Sequence, residues 1–276
     1  MTGSLLPLVT LGSDPGYLSS LLFGRQLQVE ELERRFRPTR GASSRPWVVS
    51  ITAGEEECPY LLAERLALCA VPRLASPEAR VPGQLHLLEA ETDVPGSLDA
   101  EALWAFLSGP ARMLGEWRAR ERKVERGGQV SAEAWKRFLE QASVRVSFAL
   151  EVSGAVDLGG FEAVLTRLPS VRAERAPVIF LLSGTRQSRM AEVLARLNDS
   201  QAIQWLDLSP LGSTCVSDLA QWRETLSHQA PALAGLSGLE KAFEWLSAAY
   251  KARQSLPMSD VHPVILEAMR IAPEAA

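Results

Sequence analysis

The chain has 276 residues, of which 46% are hydrophobic and 22% are charged. These values are ordinary for a soluble globular protein, and the length suits one large domain or a domain with a helical appendage. The formal net charge of −4 argues against a nucleic-acid partner, because neutralising a phosphate backbone requires a basic surface.

Cysteine content and the N-terminal residues bear on location. Cys58, Cys69 and Cys215 form neither a disulfide framework nor a paired metal-ligand spacing, so we expect a reduced, cytoplasmic compartment and no metal site. Residues 1–11 are apolar but have no basic region or small-residue cleavage site, so no signal peptide is expected. No run of 18 apolar residues predicts a membrane span.

Hydrophobic periodicity predicts strands that alternate with helices. A first helix is expected within residues 21–37, where Leu27, Leu32 and Phe36 recur at helical spacing. The predicted strands are residues 47–52, 84–91, 144–152, 177–184 and 203–208. The predicted helices are residues 59–69, 98–117 (bent near Gly109-Pro110), 131–141, 161–168, 188–197, 216–226, 239–252 and 261–269. This alternation indicates a parallel α/β sheet with flanking helices, followed by a helical C-terminal portion.

We divide the chain into an N-terminal lead-in and helix (1–45), an α/β domain (46–210) and the helical portion (211–276). Residues 116–126 are dense in both signs of charge, which predicts an exposed helix face or protruding hairpin, or alternatively a partner-binding patch. The helical portion carries an apolar stripe made of Leu236, Leu239, Phe243, Leu246 and Tyr250. That stripe fits packing within the protein or a groove for a partner helix.

The stretch from Trp47 to Leu66 predicts a strand, a glycine-led turn and an amphipathic helix. This order is the skeleton of a phosphate-binding loop, in which backbone N–H groups at a helix N-terminus cradle phosphate. Aligned on G-x-x-x-x-G-K-[ST] from Gly54, Pro59 replaces the second glycine, Tyr60 replaces the lysine and Leu61 replaces the Ser/Thr. The groups that would bind phosphate and magnesium are therefore absent.

The turn is also strongly acidic, since Glu55, Glu56 and Glu57 follow Gly54. Each carboxylate at about 4 Å from a phosphate charge would oppose binding by roughly 1 to 4 kcal/mol, depending on the local dielectric. Three consecutive residues cannot converge on one metal ion. We therefore expect a solvent-exposed loop whose glutamates interact with the helix N-terminus, and in which a bulky replacement of Gly54 would disturb the turn.

Four stretches resemble the STAND class of P-loop NTPases within the AAA+ superfamily, and in particular the inactive STAND modules of bacterial conflict systems. They are Phe23-Gly24-Arg25 with the Glu30-Glu31-Leu32 helix, residues 47–66, residues 178–184, and residues 203–210 with 218–222. The resemblance spans residues 20–225. It departs from the family in two places: no residue separates Phe23 from Gly24, and Glu151 is followed by Val152 instead of a second carboxylate.

The sequence predicts neither catalytic nor cofactor-binding nor metal-binding residues, so we expect no enzymatic activity. Gly54, Glu55, Glu56, Glu57, Cys58, Pro59, Tyr60 and Leu61 form a degenerate phosphate loop. The resemblance implies a non-catalytic scaffold or adaptor with protein partners in a bacterial defence or signalling assembly, without nucleotide, nucleic acid or membrane.

Two alternatives remain open. The first is a nucleotide-binding switch that uses Arg25 and remote residues instead of the missing lysine. The second is a hydrolase built on Cys58, because a helix N-terminus lowers a thiol pKa. Such a hydrolase also needs a histidine base, for which the candidates are His86, His228 and His262. The flanking glutamates would raise the thiol pKa and oppose that role.

Overall fold

The structure is a computed structural model that describes residues 23–37, 42–67, 71, 83–88, 100–122, 130–142, 145–152, 157–185, 187–229 and 237–270. The predicted lead-in over residues 1–20, Cys69 and Leu236 lie outside the described residues.

The strands alternate with helices, as the sequence predicts. The strands are β1 (Ser43–Ser44), β2 (Trp47–Thr52), β3 (Gly83–Leu88), β4 (Arg145–Glu151), β5 (Val171–Arg172), β6 (Val178–Ser183), β7 (Gln204–Asp207), β8 (Thr214–Cys215) and β9 (Ser255–Leu256). The helices are α1 (Gln26–Arg35), α2 (Pro59–Arg65), α3 (Ala100–Arg122), α4 (Ala132–Gln141), α5 (Leu158–Arg167), α6 (Ser188–Asp199), α7 (Val216–Gln229), α8 (Ser237–Arg253) and α9 (Met258–Arg270).

A five-stranded parallel sheet forms the centre, in the order β3-β4-β6-β2-β7. Strand β2 lies between β6 and β7, and its Val48, Val49 and Ile51 are fully buried. In strand β6 the five residues from Val178 to Leu182 are all buried, which explains why that sequence is a continuous apolar run. The predicted fold class, a parallel α/β sheet with flanking helices and a helical C-terminal portion, is confirmed.

Several local predictions differ from the structure. Helix α1 begins at Gln26 and buries Val29 and Leu32, whereas Leu27 is 54% exposed. Helix α3 continues through Gly109-Pro110 to Arg122, so the charged segment is helical over residues 116–122. Two short antiparallel pairs, β1 with β5 and β8 with β9, were not predicted, because a two-residue strand has no detectable periodicity.

Contacts divide the chain into two compact units. The sheet unit comprises Arg25–Ser213 and Pro257–Asp260, and the helical unit comprises the described parts of Met1–Gly24, Thr214–Leu256 and Val261–Ala276. Helix α1 therefore packs as part of the sheet unit. The three-part division proposed from the sequence stays a prediction.

The helical unit has its own aromatic core. The Trp222 ring lies 5.4 Å from Phe23 and 5.2 Å from Phe243. The Thr214 hydroxyl lies 2.7 Å from the Tyr250 hydroxyl and donates to the Leu256 carbonyl at 2.8 Å. Leu239, Phe243, Leu246 and Tyr250 are buried, so the described part of the predicted apolar stripe packs within the protein.

Candidate functional site: the degenerate phosphate loop

The turn after β2 has the expected position and a different internal structure. Gly54 is extended (φ −65°, ψ 158°), Glu55–Glu57 form a 3-10 turn, and Cys58 adopts a left-handed conformation (φ 48°) before Pro59 opens α2. Proline is suited to the first helical position, where its missing N–H breaks no bond. The sequence therefore places a strand, a turn and a helix in the order of a phosphate loop.

Backbone N–H groups of the turn are used within the turn. Glu57 donates to the Gly54 carbonyl and Cys58 donates to the Glu55 carbonyl, each at 3.0 Å, and Leu61 donates to the Cys58 carbonyl at 2.9 Å. A phosphate cradle needs such N–H groups to point at the ligand. These three N–H groups are directed to carbonyls of the turn itself, so they do not point at a ligand.

Arg25 and Glu57 form a buried ion pair at this turn. Arg25 Nη2 lies 2.9 Å from Glu57 Oε2, and their side chains are 5% and 11% exposed. The same nitrogen donates to the Glu57 backbone carbonyl at 3.0 Å, and Nη1 donates to the Gly212 carbonyl at 2.7 Å. The Ser213 hydroxyl donates to the other carboxylate oxygen, Glu57 Oε1, at 2.7 Å.

We name these four residues (Arg25, Glu57, Gly212 and Ser213) the Arg25 cluster. Every polar contact in it is charge-assisted, which makes such bonds roughly twice as strong as neutral ones. A buried ion pair recovers its desolvation cost only when further hydrogen bonds satisfy both partners. Here Glu57 receives bonds at both carboxylate oxygens, and Arg25 donates to two carbonyls as well. The anionic group that Arg25 binds at this turn is therefore the Glu57 carboxylate of the same chain.

Two expectations about the turn are wrong. Glu55 and Glu56 are exposed as predicted, but Glu57 is buried at 8% exposure, because Arg25 pairs with it. The expected sensitivity of Gly54 is also contradicted, since a Cβ added there meets no atom within 4 Å and its φ is open to any residue. The turn thus lacks the close backbone approach that makes glycine necessary in a phosphate loop.

The remaining motif positions show no phosphate-binding chemistry. Pro59, Tyr60 and Leu61 are all half-buried, and none offers a cationic or magnesium-binding group. Glu151 ends β4 and is exposed, and the next residue, Val152, is buried with its N–H donating to the Leu182 carbonyl at 2.7 Å. Along the chain, Glu151 is therefore followed by a buried valine instead of a second carboxylate.

Cys58 lies in an environment that disfavours a thiolate. Burial raises the pKa of the thiol above 9.0, Arg25 opposes that shift and Glu57 adds to it. Its Sγ contacts the Glu56 carbonyl at 3.8 Å. His228 and His262 belong to the helical unit, whereas Cys58 belongs to the sheet unit, and His86 lies on β3. A raised pKa is the opposite of what an activated cysteine needs.

A pocket on the same sheet was not predicted. It has a volume of about 380 Å³, part of which is open to solvent, and lies between β2, β6, β7 and α6. Its polar lining includes Ser50, Thr52, Ser183, Gln187 and Asp207. The available signal was the alternation of Ser50 and Thr52 with buried apolar residues in β2, which places both hydroxyls on one face.

Two of the polar side chains that line this pocket, Ser50 and Gln187, form hydrogen bonds within the protein. Trp205 Nε1 donates to Ser50 Oγ at 3.0 Å, and Gln187 donates to the Val152 carbonyl at 3.3 Å.

Within the described residues no group of three or more His, Cys, Asp or Glu side chains could hold a metal ion. No helix in the described part of the chain combines the length and the hydropathy that a bilayer crossing needs.

No protein-family model matches the chain, and no curated protein matches it. Solved structures similar to it include the Drosophila ORC bound to AT-rich DNA and Cdc6, with 16% identity, a TM-score of 0.37, and coverage of 91% of this chain and 40% of that one. A Walker-type ATPase of Pyrococcus abyssi has 10% identity, a TM-score of 0.39, and coverage of 91% and 72%. The Aeropyrum pernix ORC1 protein in complex with DNA has 15% identity, a TM-score of 0.39, and coverage of 90% and 60%.

These superpositions are loose, and the chain spans less than two thirds of two of the three proteins. The fold assignment rests on the parallel sheet and its strand-turn-helix unit, which the structure shows directly. The comparisons give no support to the expectation that nucleic acid is not a partner. That expectation stays a prediction from net charge.

Proposed function

We propose that this protein is a non-catalytic protein-interaction scaffold or adaptor built on a degenerate nucleotide-binding fold, acting in a multi-protein assembly. The observation that carries the proposal is the Glu57 carboxylate, which Arg25 and Ser213 hold at the turn where a phosphate loop would bind its ligand. A second anion at this turn would have to displace a buried, fully hydrogen-bonded carboxylate.

Three further features support the absence of catalysis. The N–H groups of Glu57 and Cys58 are bonded within the turn, so they do not face a ligand. Tyr60 takes the position of the lysine that offsets phosphate charge in an intact phosphate loop. Glu151 has no carboxylate beside it in the sequence. Phosphoryl transfer depends on positioning and charge neutralisation, and these residues provide neither.

Support for an interaction role comes from exposed apolar side chains. Among the described residues, Leu27, Val216 and Trp245 are large, apolar and more than half exposed, at 54%, 57% and 52%. Tryptophan is enriched among the residues that carry most of the binding energy of protein interfaces. The resemblance to inactive STAND modules is what supports a bacterial defence or signalling assembly as the context.

Titration with nucleotides tests the inactive site. ATP, ADP and GTP at millimolar concentration, with and without magnesium, are expected to leave the melting temperature unchanged and to give no heat of binding. A ligand bound at 100 times its Kd would stabilise the protein by about 2.7 kcal/mol, which is easily detected. Saturable stabilisation that Arg25→Gln removes would instead favour the alternative nucleotide-binding switch.

A second experiment tests the interaction role. The full chain and a Trp245→Ala variant are used as baits in the native host, and captured proteins are quantified by mass spectrometry. We expect a small set of proteins that the wild-type chain enriches, that Trp245→Ala loses, and that the neighbouring control Glu244→Ala retains. Equal capture by all three baits would contradict a role for Trp245.

A hydrolase activity lost in Cys58→Ala would favour the cysteine hydrolase over the scaffold.

A further inference from the structure

Of the six buried polar side-chain atoms that lack a hydrogen-bond partner in the part of the chain that the structure describes, four lie near the amino ends of the strands. They are Trp47 Nε1, Arg145 Nε, Ser147 Oγ and Arg175 Nη1. We name these residues the amino-end cluster. Buried polar groups in native proteins are nearly always bonded, so a group of unpaired atoms requires a missing partner such as an ion or water.

Strand register places three of these residues on one face of the sheet. Trp47 of β2 and Ser147 of β4 both pair with Val178 of the intervening strand β6. Laterally paired residues of parallel strands share a face, and so do residues two apart on one strand. Arg145, two residues before Ser147, therefore lies on the same face as Ser147 and Trp47.

Aromatic contacts confirm that these side chains converge. The Phe36 ring lies 4.6 Å from the Trp47 ring, and the Arg145 guanidinium carbon lies 5.3 Å from the same Phe36 ring. Phe36 is fully buried. One aromatic ring thus contacts both Trp47 and Arg145, and it separates this face from solvent.

Arg175 approaches from the turn beside β4. Arg145 donates from Nη1 to the Glu174 carbonyl at 3.1 Å and from Nη2 to the Ala173 carbonyl at 3.4 Å. Arg175 is the last residue of the 3-10 turn Ala173–Arg175. The guanidinium of Arg145 therefore lies against the turn that carries Arg175, which is half-buried and the more accessible of the two.

The cluster has an excess of positive charge. The pKa of Arg145 is lowered to about 9, mainly by burial and also by the charge of Arg175, while Glu174 opposes the shift. The Glu174 carboxylate also lies 3.9 Å from Arg172 Nη1, so its charge is shared. A buried cation without a full complement of acceptors is strongly unfavourable. An added anion would supply both the missing charge and the missing acceptors.

We propose that the amino-end cluster binds a small oxyanion, of the phosphate, sulfate or carboxylate type, at the amino ends of β2 and β4. The oxyanion accepts hydrogen bonds from Arg145 and Arg175, with Ser147 and Trp47 as further donors. This site lies at the opposite end of the parallel strands from the degenerate phosphate loop, so it does not depend on the proposed function. The unpaired donors of the amino-end cluster thus lie at the amino ends of the strands, and the Glu57 carboxylate lies beyond the carboxyl end of β2.

Anion titrations at constant ionic strength test the site. Sodium phosphate, sodium sulfate and sodium acetate are added separately to the full chain, with sodium chloride keeping the ionic strength fixed. We expect a saturable rise in melting temperature and a matching Kd by calorimetry for at least one oxyanion. The phosphate and sulfate arms separate a tetrahedral ligand from the planar carboxylate represented by acetate.

Matched variants assign the response to the cluster. Arg175→Gln is expected to weaken the Kd by about tenfold or more, because it removes a charge-assisted hydrogen bond. Ser147→Ala is expected to weaken it less. The control Arg196→Gln loses the same charge from an exposed arginine on α6 and should leave the Kd unchanged. Because Arg175 is half-buried, its variant tests the site even if an Arg145→Met variant fails to fold.

Three results would overturn the site. A stabilisation that rises without saturation is the general effect of excluded salts and shows no binding. Equal weakening in Arg175→Gln and Arg196→Gln shows a response to net charge alone. The absence of any response to all three oxyanions shows that buried water satisfies the four donors.

Discussion

The guanidinium of Arg25 and the carboxylate of Glu57 meet at 2.9 Å, although 32 residues separate them in the sequence. The contact joins the residue that precedes α1 to the turn that follows β2. It gives one of the three glutamates of this turn a buried cationic partner, while Glu55 and Glu56 stay exposed.

A double-mutant cycle on Arg25 and Glu57 measures the coupling directly. Arg25→Gln or Glu57→Gln alone should lower the free energy of unfolding by about 3 to 5 kcal/mol, because each leaves an unpaired buried charge. The double variant should lose less than the sum of the two single losses. Chemical denaturation followed by circular dichroism measures all four free energies.

The exposed pair Arg196–Glu162 is the control for that cycle. Its N–O distance is 2.8 Å, similar to the Arg25 pair, but the side chains are 64% and 38% exposed. Exposed pairs typically contribute about 0 to 1 kcal/mol. Similar coupling energies in the two cycles would show that burial of the Arg25 cluster does not set its strength.

Two glycines should respond in opposite ways to alanine. Gly24 has a φ of +64°, and a Cβ there would lie 2.5 Å from Thr214 Cγ2, so Gly24→Ala should destabilise the helical unit by about 1 to 2 kcal/mol or more. Gly54→Ala meets no neighbour and should stabilise the protein by about 0.4 to 1 kcal/mol through the unfolded chain. Melting temperatures of both variants test these predictions. Destabilisation by Gly54→Ala would support the expectation from the sequence that replacing Gly54 disturbs the turn.

Glu31 should make stability depend on acidic pH. Burial raises its pKa, but the hydroxyl and N–H of Ser209 and the charges of Arg35 and Arg34 lower the pKa more, to a net value below 4.5. The Ser209 bonds are 2.6 and 2.7 Å long. A carboxyl whose pKa is lowered by folding stabilises the protein above its unfolded pKa, and that contribution is lost as the pH falls through the folded value.

Glu31→Gln should therefore destabilise the protein at pH 7 by about 1 to 2 kcal/mol. The difference from wild type should shrink as the pH falls through the lowered pKa of the folded Glu31 carboxyl, because the wild-type group is then protonated too. Urea denaturation between pH 3 and pH 7 gives the comparison, with the exposed Glu192→Gln as the control. A difference that stays constant across this range would contradict the assignment.

The Cys58 thiol should titrate higher in the folded protein than in the unfolded chain. Burial raises its pKa, with Arg25 opposing and Glu57 reinforcing the shift. The rate of iodoacetamide alkylation of the Cys58 peptide should rise at higher pH in the native chain than in urea. Glu57→Gln should lower the native pKa, because it removes one of its causes. A pKa of the Cys58 thiol that is lower in the native protein than in the unfolded chain would support the hypothesis that Cys58 is a nucleophile.

The sequence predicts the sheet well because β6 is a continuous apolar run bounded by turn residues and β2 is a largely apolar run followed by a glycine-led turn. It also predicts the missing phosphate chemistry, because Pro59, Tyr60 and Leu61 are identities that can be read directly. It does not predict the Arg25 cluster, since three adjacent glutamates look alike in sequence and only the fold brings Arg25, Gly212 and Ser213 to Glu57. Whether one of these glutamates is exposed or buried depends on residues that are distant from it in the sequence.

The exposure of Leu27 and the grouping of the amino-end cluster could not be predicted for the same reason. Leu27 matches the helical spacing of Leu32, yet it is exposed because Val29 and Gln28 take the inner face of α1. The amino-end cluster is equally hidden, because its members lie on β2, β4 and the turn after β5. Lateral register between strands determines that grouping, and register is a property of the folded sheet.

The bond from Arg25 to the Gly212 carbonyl joins residues 187 positions apart. At a synthesis rate of about 5 to 20 residues per second, the ribosome makes the acceptor roughly 10 to 40 seconds after the donor. Glu57 is made far earlier, within about 2 to 6 seconds of Arg25. Both members of the ion pair are therefore synthesised well before the last acceptor, and the Arg25 cluster cannot be complete until Gly212 and Ser213 have been made.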